Sequence, residues 1–509
     1  MARISSNELL AASLERALQA ANQSIIRSER LTRADRERLI RSKYLRQIIH
    51  GWYVLCPAYV DTGESTLWHV NFWEFVRQYL EERFNDQYCL SPEASMDLWL
   101  GKNYIPSQVV VIARKGGTQS LKLPHNTSLM IYEEKKNFPL DRTQHHGLKV
   151  FPFEYALCKM PPAFYSQQST EAAIALHMLE SPDSILYYLL KERLTTAAGR
   201  VAGALRHIKN SRFADAILLA MRAAGFQVVE KNPFDEKPLL LTGISISPYA
   251  ARLAAMWERS RATIAERFPE PATKKSEKAH FIEEIDTVYA QDAYHSLSIE
   301  GYEVSEELMK KIAEGKWQPE ADESDRQQRN AMAAKGYYEA FRSVKDTIMQ
   351  MSVSSAPVDI MRDMFSSWYA ALFSPSVAAG IVRREHLAGY RRQPVYIRNA
   401  MHVPPPFEAV GVCMDTLFRC AANEPHPGVR AVLMHWLVGF VHPFVDGNGR
   451  MARFAMNALL VSQGYPWTII HVKKRNLYMK ALEKASIEGD LTDFTDFIVS
   501  EMKSTEAAE

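Results

Sequence analysis

The sequence predicts a mainly α-helical protein, in which an α+β region that starts with a winged helix-turn-helix precedes a helical domain with a small β-hairpin. Over residues 278–505, apolar positions recur with the 3.6-residue period of amphipathic helices. Short β-branched and aromatic runs, which favour strands, are concentrated in the N-terminal half. Proline-containing breaks at residues 233–238 and 269–271 separate the two parts.

Residues 1–85 have the element order of a winged helix-turn-helix. Residues 5–50 predict three short helices, and residues 51–55 predict a turn and a strand. Thr32 is a suitable N-cap for a helix over residues 34–41. A helix, a basic helix and an aromatic β-turn follow one another in this order in winged helix-turn-helix domains.

Cationic side chains crowd this region, and they predict DNA as a partner of the N-terminal domain. They are Arg27, Arg30, Arg33, Arg36, Arg38, Arg41, Lys43 and Arg46. The alternative is a charged, solvated helix pair that packs on the rest of the chain. The formal net charge of the whole protein is only +2, which gives no global attraction to nucleic acid.

The pattern over residues 86–235 predicts an α+β domain, and the pattern over residues 236–277 predicts a linker. Strands are expected at residues 109–113, 127–132 and 149–153. Helices are expected at residues 170–179, 184–191, 196–207 and 212–224.

Residues 278–505 predict a helical domain. The expected helices cover residues 278–295, 324–350, 358–373, 409–422, 427–441, 449–463 and 474–488. One segment departs from the pattern: over residues 393–406, Val395, Ile397 and Val403 flank polar residues and predict a short β-hairpin that ends in three prolines.

The composition is that of a globular protein with more than one domain. A chain of 509 residues is too long for one ordinary core, and its 47% hydrophobic and 24% charged residues are typical of soluble proteins. No apolar run has the length of a membrane span, and the N-terminus lacks a secretion signal, so no membrane association is expected. Five scattered cysteines without metal-ligand spacing favour a reducing, cytoplasmic location.

The most informative stretch is His-Pro-Phe-Val-Asp-Gly-Asn-Gly-Arg-Met-Ala-Arg, at residues 442–453. Gly447 and Gly449 let the backbone turn sharply and approach a ligand. Amide groups at the start of the following helix would face an anion. Arg450 and Arg453 share a helix face, from which both could reach phosphate oxygens.

Two further residues of the stretch suit phosphate chemistry. Asp446 offers a hard oxygen ligand for Mg²⁺, which accompanies phosphates. His442 lies just before the turn, where a neutral imidazole could take a proton from a hydroxyl nucleophile. A capped helix–helix turn with an incidental histidine is the alternative, but it does not explain every residue at its spacing.

The stretch resembles the signature of the Fic family of nucleotide transferases, His-Pro-Phe-x-Asp/Glu-Gly-Asn-Gly-Arg-x-x-Arg, at every position. The resemblance covers about residues 278–500. It implies transfer of AMP from ATP, with Mg²⁺, to a Ser, Thr or Tyr hydroxyl of a target protein or of the chain itself. The roles it implies are a general base for His442, a Mg²⁺ ligand for Asp446, a buried anchor for Phe444, an anion-binding nest for Gly447, Asn448 and Gly449, and triphosphate binding for Arg450 and Arg453.

A second resemblance concerns inhibition. Ser296, Glu300 and Gly301 end the first predicted helix of this domain and resemble the family's inhibitory motif, Ser/Thr-x-x-x-Glu-Gly/Asn. The resemblance implies that Glu300 pairs with Arg453 and blocks productive placement of the γ-phosphate. A carboxylate and a phosphate compete for the same guanidinium, so the chain would be self-inhibited.

The hairpin at residues 393–406 lies where the family has its flap, which clamps the modified segment of the target by strand pairing. Val395, Tyr396 and Ile397 would be the target-binding residues. An ordinary surface hairpin is the alternative.

The N-terminal part also resembles antitoxins of the abortive-infection AbiEi type, in short phrases at residues 89–95, 106–110 and 199–206. This resemblance implies a DNA-binding, autoregulatory or partner-sensing module and no second enzyme.

Two other functions compete with a self-inhibited AMP-transferase. One is a DNA-binding transcriptional regulator or antitoxin-like protein whose Fic-like core only senses nucleotide, although a pure sensor would not need His442. The other is an enzyme of the same type that uses another nucleotide donor or removes AMP, in which Glu300 would position a water molecule.

Overall fold

The computed structural model of the protein describes residues 6–56, 66–102, 104–235, 247–271, 284–314, 325–395, 397 and 400–506. The chain forms two compact units. The first comprises Met1–Leu240 and Tyr396–Val403, and the second comprises Leu241–Val395 and Pro404–Glu509. Within the described ranges, no helix is long and apolar enough to cross a membrane. The structure is mainly helical with small sheets, as the sequence predicts.

The first unit begins with two helices and a three-stranded antiparallel sheet. The helices are α1 (Ser6–Ala20) and α2 (Arg33–Arg41), and the strands are β1 (Ile25–Arg27), β2 (Leu45–Ile49) and β3 (Trp52–Leu55), in the order β1-β3-β2. The hydroxyl of Thr32 accepts a hydrogen bond from the amide of Asp35 at 3.1 Å, which confirms the predicted N-cap. The prediction of three helices over residues 5–50 is wrong at β1 and at β2. Leu45 and Ile48 are buried on β2 three residues apart, a spacing that also suits a helix, but antiparallel pairing with β3 makes the segment a strand.

A second sheet follows, with a mixed arrangement of strands. Its strands are β4 (Tyr88–Leu90), β5 (Gln108–Ala113), β6 (Gln119–Lys122) and β7 (Ser128–Glu133), in the order β4-β5-β7-β6, with β5 parallel to β7. The surrounding elements are α3 (Thr66–Phe84), α4 (Pro92–Trp99) and the hairpin of β8 (Thr143–His145) and β9 (Leu148–Val150). The strands predicted at residues 109–113 and 127–132 are confirmed. The third ends early, because Pro152 has no amide hydrogen and caps the next helix.

Six helices follow in the described residues 153–223 of the first unit. They are α5 (Phe153–Lys159), α6 (Pro162–Gln167), α7 (Ser169–His177), α8 (Pro182–Lys191), α9 (Thr195–His207) and α10 (Ser211–Ala223). The four helices predicted between residues 170 and 224 are confirmed, each within a few residues of its predicted bounds.

The described helices of the second unit build one large core. They are α11 (Pro248–Arg267), α12 (Ile285–Ile299), α13 (Glu306–Ala313), α14 (Asp325–Ser352), α15 (Pro357–Ala378), α16 (Phe407–Asn423), α17 (Pro427–Val441), α18 (Asn448–Ser462), α19 (Arg475–Glu488) and α20 (Thr492–Glu506). Each predicted helix has a counterpart, although residues 278–283 of the first lie outside the described residues. Helices α17 and α18 are buried along almost their whole length, so the loop between them is held by the core.

The predicted linker over residues 236–277 contains a helix. In α11, Leu253, Trp257 and Ile264 are buried in the core of the second unit, and the Trp257 indole donates to Glu424 at 3.2 Å. Proline-rich breaks on both sides, which are typical of a linker, flank the helical period of α11.

The predicted hairpin over residues 393–406 is not formed in the part that the structure describes. There the segment is irregular, and His402 makes an isolated antiparallel bridge with Tyr104. Pro394 and the prolines at 404–406 have no amide hydrogen to donate, which works against a regular ladder. Tyr396 lies outside the described residues.

Candidate active site

The geometry of His442 suits a proton acceptor. It follows the last residue of α17 in the left-handed conformation, with φ of 51° and ψ of 60°. Non-glycine residues seldom adopt this conformation, and it occurs often at functional sites. Nδ1 lies 3.1 Å from the carbonyl oxygen of Gly439, an acceptor, so Nδ1 carries the proton and Nε2 presents a lone pair. Burial lowers the pKa of His442, which keeps the imidazole neutral near pH 7.

Arg391, which the sequence analysis did not single out, fixes the backbone around His442. Its buried guanidinium donates to the carbonyl oxygen of His442 at 2.8 Å and to that of Pro405 at 2.5 Å. Its own amide donates to Pro443 at 2.8 Å. A cation at the C-terminal end of α17 also complements the helix dipole. No sequence spacing links Arg391 to the motif, so no pattern could have identified it.

The loop after His442 is closed by Phe444 and Asn448. The ring of Phe444 is fully buried and stacks on Tyr369, with centroids 3.8 Å apart and planes 7° from parallel. The Asn448 side chain accepts from the Phe444 amide at 2.8 Å and donates to its carbonyl at 2.9 Å. Phe444 is thus an anchor within the core. The side-chain amide of Asn448 is hydrogen-bonded to the loop backbone. Its contribution to an anion-binding nest is therefore to hold the shape of the loop.

Two glycines open the space at the start of α18. Gly447 has φ of +77°, and a Cβ there would lie 2.8 Å from the ring of Phe373. A Cβ at Gly449 would lie only 2.3 Å from a carboxylate oxygen of Glu300. The absence of side chains lets an anionic group come directly against the first turn of α18, where helix amides and the helix dipole favour negative charge.

Arg450 is a buried cation with unused hydrogen-bonding capacity. It is 1% exposed, and its guanidinium lies near the rings of Tyr302 and Phe373, at 5.2 and 5.1 Å from their centroids. Its Nη2 is 3.5 Å from a carboxylate oxygen of Asp446. Among the described residues, neither Nε nor Nη2 has a hydrogen-bond partner. Unpaired buried donors on a charged group are costly, and a bound anion would satisfy them.

Arg453 is also buried, but the end of α12 engages it. Its Nε donates to the Ser296 hydroxyl at 2.8 Å, and its Nη2 donates to the Ser296 carbonyl at 3.2 Å and to Glu300 at 2.7 Å. Gly301, with φ of +86°, follows the end of α12 and donates its amide to Ser298 at 3.1 Å. The structure therefore brings Ser296 and Glu300 onto Arg453, and Gly301 ends the helix that carries them.

Asp446 is the candidate Mg²⁺ ligand. Its side chain is 57% exposed, and one oxygen accepts from the Gly447 amide at 2.6 Å. Among the described residues, no group of three or more His, Cys, Asp and Glu side chains could hold a metal ion. One accessible carboxylate suits Mg²⁺, which commonly binds through one or two carboxylates together with substrate phosphates and water.

Asp292 is a further buried acid near Arg453, and the sequence analysis did not identify it. Asp292 accepts from the hydroxyl of Tyr337 at 2.6 Å, and both are buried. Burial raises the pKa of Asp292 to about 6. Asp292 lies four residues before Ser296 and eight before Glu300, so all three share one stripe of α12. This spacing was the sequence signal that could have identified it.

Of the predicted target-binding residues, Val395 and Ile397 are partly exposed and lie in no strand, and Tyr396 is outside the described residues.

Comparison with known proteins identifies part of the second unit. Residues 304–460 match the model of the Fic/DOC family, so the match begins after Glu300. The chain is 30% identical over 221 residues to a protein adenylyltransferase Fic of Nematostella vectensis, a match that covers 42% of this chain and 47% of that protein. It is 40% identical over 113 residues to the protein of the same name from Drosophila yakuba, which covers 21% and 22% of the two chains.

Two solved structures are similar to parts of the chain. Fic-1 from C. elegans aligns over 70% of this chain and 90% of its own, with 17% identity and a TM-score of 0.35. A Fic family protein from Desulfovibrio desulfuricans G20 aligns over 52% and 75%, with 20% identity and a TM-score of 0.34. The chain spans less than half the length of the two curated relatives described above. The family match places a Fic domain in the C-terminal part of this protein, at residues 304–460.

Proposed function

We propose that the second unit transfers AMP from ATP to a Ser, Thr or Tyr hydroxyl of a target protein or of the chain itself. The observation that carries the proposal is the juxtaposition of a neutral imidazole at His442 with two buried arginines, Arg450 and Arg453, at the start of α18. The unpaired donors of Arg450 support an anionic substrate in particular. The Drosophila and Nematostella relatives are named as protein adenylyltransferases, which supports the same chemistry.

In this proposal the chain binds the triphosphate and removes one proton. The first-turn amides of α18 and the guanidinium of Arg450 hold phosphate oxygens, and Arg453 joins them once it is released from Glu300. The hydroxyl oxygen of the target attacks the α-phosphorus, and its proton passes to Nε2 of His442. A bond from that oxygen to the α-phosphorus forms as the bond to pyrophosphate breaks. Mg²⁺ bound at Asp446 would neutralise charge on the phosphates.

We further propose that Glu300 inhibits this reaction. Its carboxylate engages Arg453 at 2.7 Å and lies against the bare backbone of Gly449, where an incoming phosphate would be expected. Because the two anions compete for one guanidinium, ATP that binds while Glu300 is in place is poorly aligned for attack at its α-phosphorus. A charge-assisted hydrogen bond contributes about 1.5–3 kcal/mol. Release of Glu300 would then favour the active arrangement by about ten- to a hundredfold.

The reaction type is tested by the position of the label in ATP. The Glu300→Gly protein is incubated with a cell lysate and ATP labelled at the α- or the γ-phosphate, and a His442→Ala version of the same variant is the control. Transfer of AMP predicts protein-bound label from the α-position only, and its loss in the control. Label from the γ-position would indicate phosphoryl transfer, and no label from either would favour a nucleotide sensor.

Removal of AMP and use of another donor are the alternatives at the same site, with Glu300 positioning a water molecule instead of blocking phosphate. The partial exposure of Glu300, at 29% of its side chain, would admit water. Modified target is incubated with wild type and with Glu300→Gln. Release of AMP by wild type alone would assign the hydrolytic role, and competition among unlabelled nucleotides would identify the donor.

A second candidate function, DNA binding, rests on the first unit. Arg33 and Arg41 are exposed on α2, whereas Arg16 and Arg38 are engaged with the buried carboxylate of Asp35. The order of helices and strands over residues 6–55 supports the proposal that residues 1–85 are a winged helix-turn-helix.

All five cysteines are free thiols, which supports a cytoplasmic location.

The DNA proposal is tested with the full chain and a duplex from its own upstream region. Exposed arginines that contact phosphates predict binding that weakens steeply with salt. Fluorescence anisotropy at two salt concentrations should show weaker binding by Arg33→Ala with Arg41→Ala, and unchanged binding by Arg222→Ala, which alters an exposed arginine of α10. Equal binding by both variants would leave the basic cluster as a solvated surface.

A further inference from the structure

The first unit contains a cavity of about 500 Å³ that is separate from the Fic domain. Helices α6 and α9 form part of its wall, through Ser166 and Thr196, and the extended segment 227–235 forms another part. We propose that this cavity binds a small organic anion that carries a phosphate or carboxylate group. Its volume lies within the range of small-molecule sites, about 300–1,000 Å³.

Among the described residues, two cations line the cavity, and one of them has unused hydrogen-bonding capacity. Arg200 contributes from α9 and Lys231 from the extended segment. Among the described residues, the buried Nε of Arg200 has no hydrogen-bond partner. The Arg200 guanidinium lies 6.0 Å from the ring centroid of the fully buried Tyr165 and interacts with its hydroxyl. A bound anion would give the Nε of Arg200 a charge-assisted hydrogen bond.

The start of α9 adds to the attraction for an anion. Thr195 and Thr196 line the cavity, and the first turn of this 13-residue helix has no side-chain cap. The Thr195 amide donates to the Arg193 carbonyl at 3.0 Å, and the regular helix ladder begins with the bond from the Ala198 amide to the Leu194 carbonyl at 2.9 Å. Hydroxyls and amides at a helix N-terminus beside a guanidinium together make a site for oxyanions.

The extended segment is held in place by its packing on glycines of α9. A Cβ at Gly199 would lie 2.0 Å from the carbonyl oxygen of Val229, and one at Gly203 would lie 2.3 Å from that of Lys231. The Lys231 amide donates to the Gly199 carbonyl at 3.1 Å. The extended segment therefore lies directly on the backbone of α9, which brings Lys231 to the same cavity as Arg200.

Side chains on both sides of Lys231 fasten the segment. Arg206 donates to both carboxylate oxygens of Glu230, at 2.6 and 3.1 Å. Further along, the buried ring of Phe234 stacks on His207, with centroids 5.5 Å apart. These contacts hold the wall of the cavity in position, and a site with a fixed wall lowers the entropy cost of binding.

The charged side chains that line the cavity indicate which groups its ligand carries. Asp235 also lines the cavity, so it presents one carboxylate with the two cations Arg200 and Lys231. A simple inorganic anion would leave that carboxylate and the threonine hydroxyls without partners. A ligand that carries hydroxyl groups together with its anionic group would satisfy both, as sugar phosphates and hydroxy acids do.

The test measures binding of ribose 5-phosphate, citrate and inorganic phosphate to the full chain by isothermal titration calorimetry. We expect wild type to bind ribose 5-phosphate or citrate more tightly than inorganic phosphate. Arg200→Gln should weaken that binding by at least about tenfold, the usual effect of one lost charge-assisted hydrogen bond. Arg222→Gln, which changes an exposed arginine of α10, should bind as wild type does.

Lys231→Gln provides a second variant if Arg200→Gln unfolds, because the Lys231 side chain does not lie within a helix. It should also weaken binding. Three outcomes would overturn the proposal: no binding of any probe by wild type, equal binding by wild type and both cavity variants, or equal weakening by the Arg222→Gln control. None of these outcomes depends on AMP transfer by the second unit, so failure of the cavity proposal can be distinguished from failure of the proposed AMP transfer.

Discussion

A carboxylate oxygen of Glu300 lies 2.7 Å from Nη2 of Arg453, although the two residues are 153 positions apart in the chain. The same oxygen would be 2.3 Å from a Cβ at Gly449, so the carboxylate sits against the bare first turn of α18. An internal anion thus engages a helix N-terminus and an arginine that are suited to a phosphate.

Removal of the imidazole should abolish AMP transfer without loss of the fold. His442→Ala in the Glu300→Gly background is expected to lower the rate by about 10²–10⁴, the range for a positioned general base. ATP binding should persist, because the arginines and the α18 amides are unchanged. The rate is measured with labelled ATP and the affinity by calorimetry. Transfer at the parental rate would contradict the role of His442.

The pH dependence should reflect the lowered pKa of His442. Because burial lowers that pKa, the imidazole stays neutral below its ordinary value of 6.5, and activity should decline only in more acidic solution. Glu300 raises the pKa of His442, so Glu300→Gly should shift the acid limb to still lower pH. The test is the rate of AMP incorporation against pH for wild type and variant. An acid limb above pH 6.5 would contradict this assignment.

Arg391 should act as a positioning residue. Arg391→Lys keeps a positive charge but cannot reproduce the spread of donors to His442 and Pro405. A displaced base is expected to lower kcat by about 10²-fold, with little effect on KM for ATP. The exposed neighbour Arg392, changed to lysine, provides the control. A variant that raises KM alone would place Arg391 in nucleotide binding.

Asp292 should make the stability of the second unit depend on pH. Burial raises its pKa from 3.8 to about 6. The stabilisation of the fold by protonated Asp292 is therefore complete below the pKa that this carboxyl has in the unfolded chain. It is lost as the pH rises through about 6. The expected loss is about 2.5 kcal/mol between pH 4 and pH 8.

The measurement is the free energy of unfolding in urea at both pH values. In Asp292→Asn, which cannot ionise, this component should disappear. Parallel pH dependence of wild type and variant would show that Asp292 does not titrate in this range.

The sequence predicted the parts of the fold that have a strong local pattern. Helices α17 and α18 lie within one residue of their predicted bounds, because their apolar residues and flanking turn residues agree. The contact between Glu300 and Arg453 was predictable only through the family resemblance, since no local pattern links residues so far apart in the chain.

Other features could not be predicted, because they depend on tertiary contacts. Arg391 binds backbone carbonyls that any sequence presents, so no residue type marks its partners. Helix α11 was obscured by the prolines on both sides. β2 was mistaken for a helix because tertiary pairing with β3 outweighed a weak local preference. The cavity beside Arg200 depends on Gly199 and Gly203, whose role is visible only once Val229 and Lys231 pack on them.

The most direct test of the central claim is the initial rate of AMP incorporation by wild type, Glu300→Gly and Glu300→Gln at saturating ATP. Glutamine keeps the size of the side chain and removes its charge, so it separates electrostatic competition from steric blocking. We expect both variants to exceed wild type by about ten- to a hundredfold, the amount that release of one charge-assisted contact to Arg453 allows. The gain should disappear with His442→Ala. Rates equal to that of wild type in both variants, with ATP bound, would contradict inhibition by Glu300.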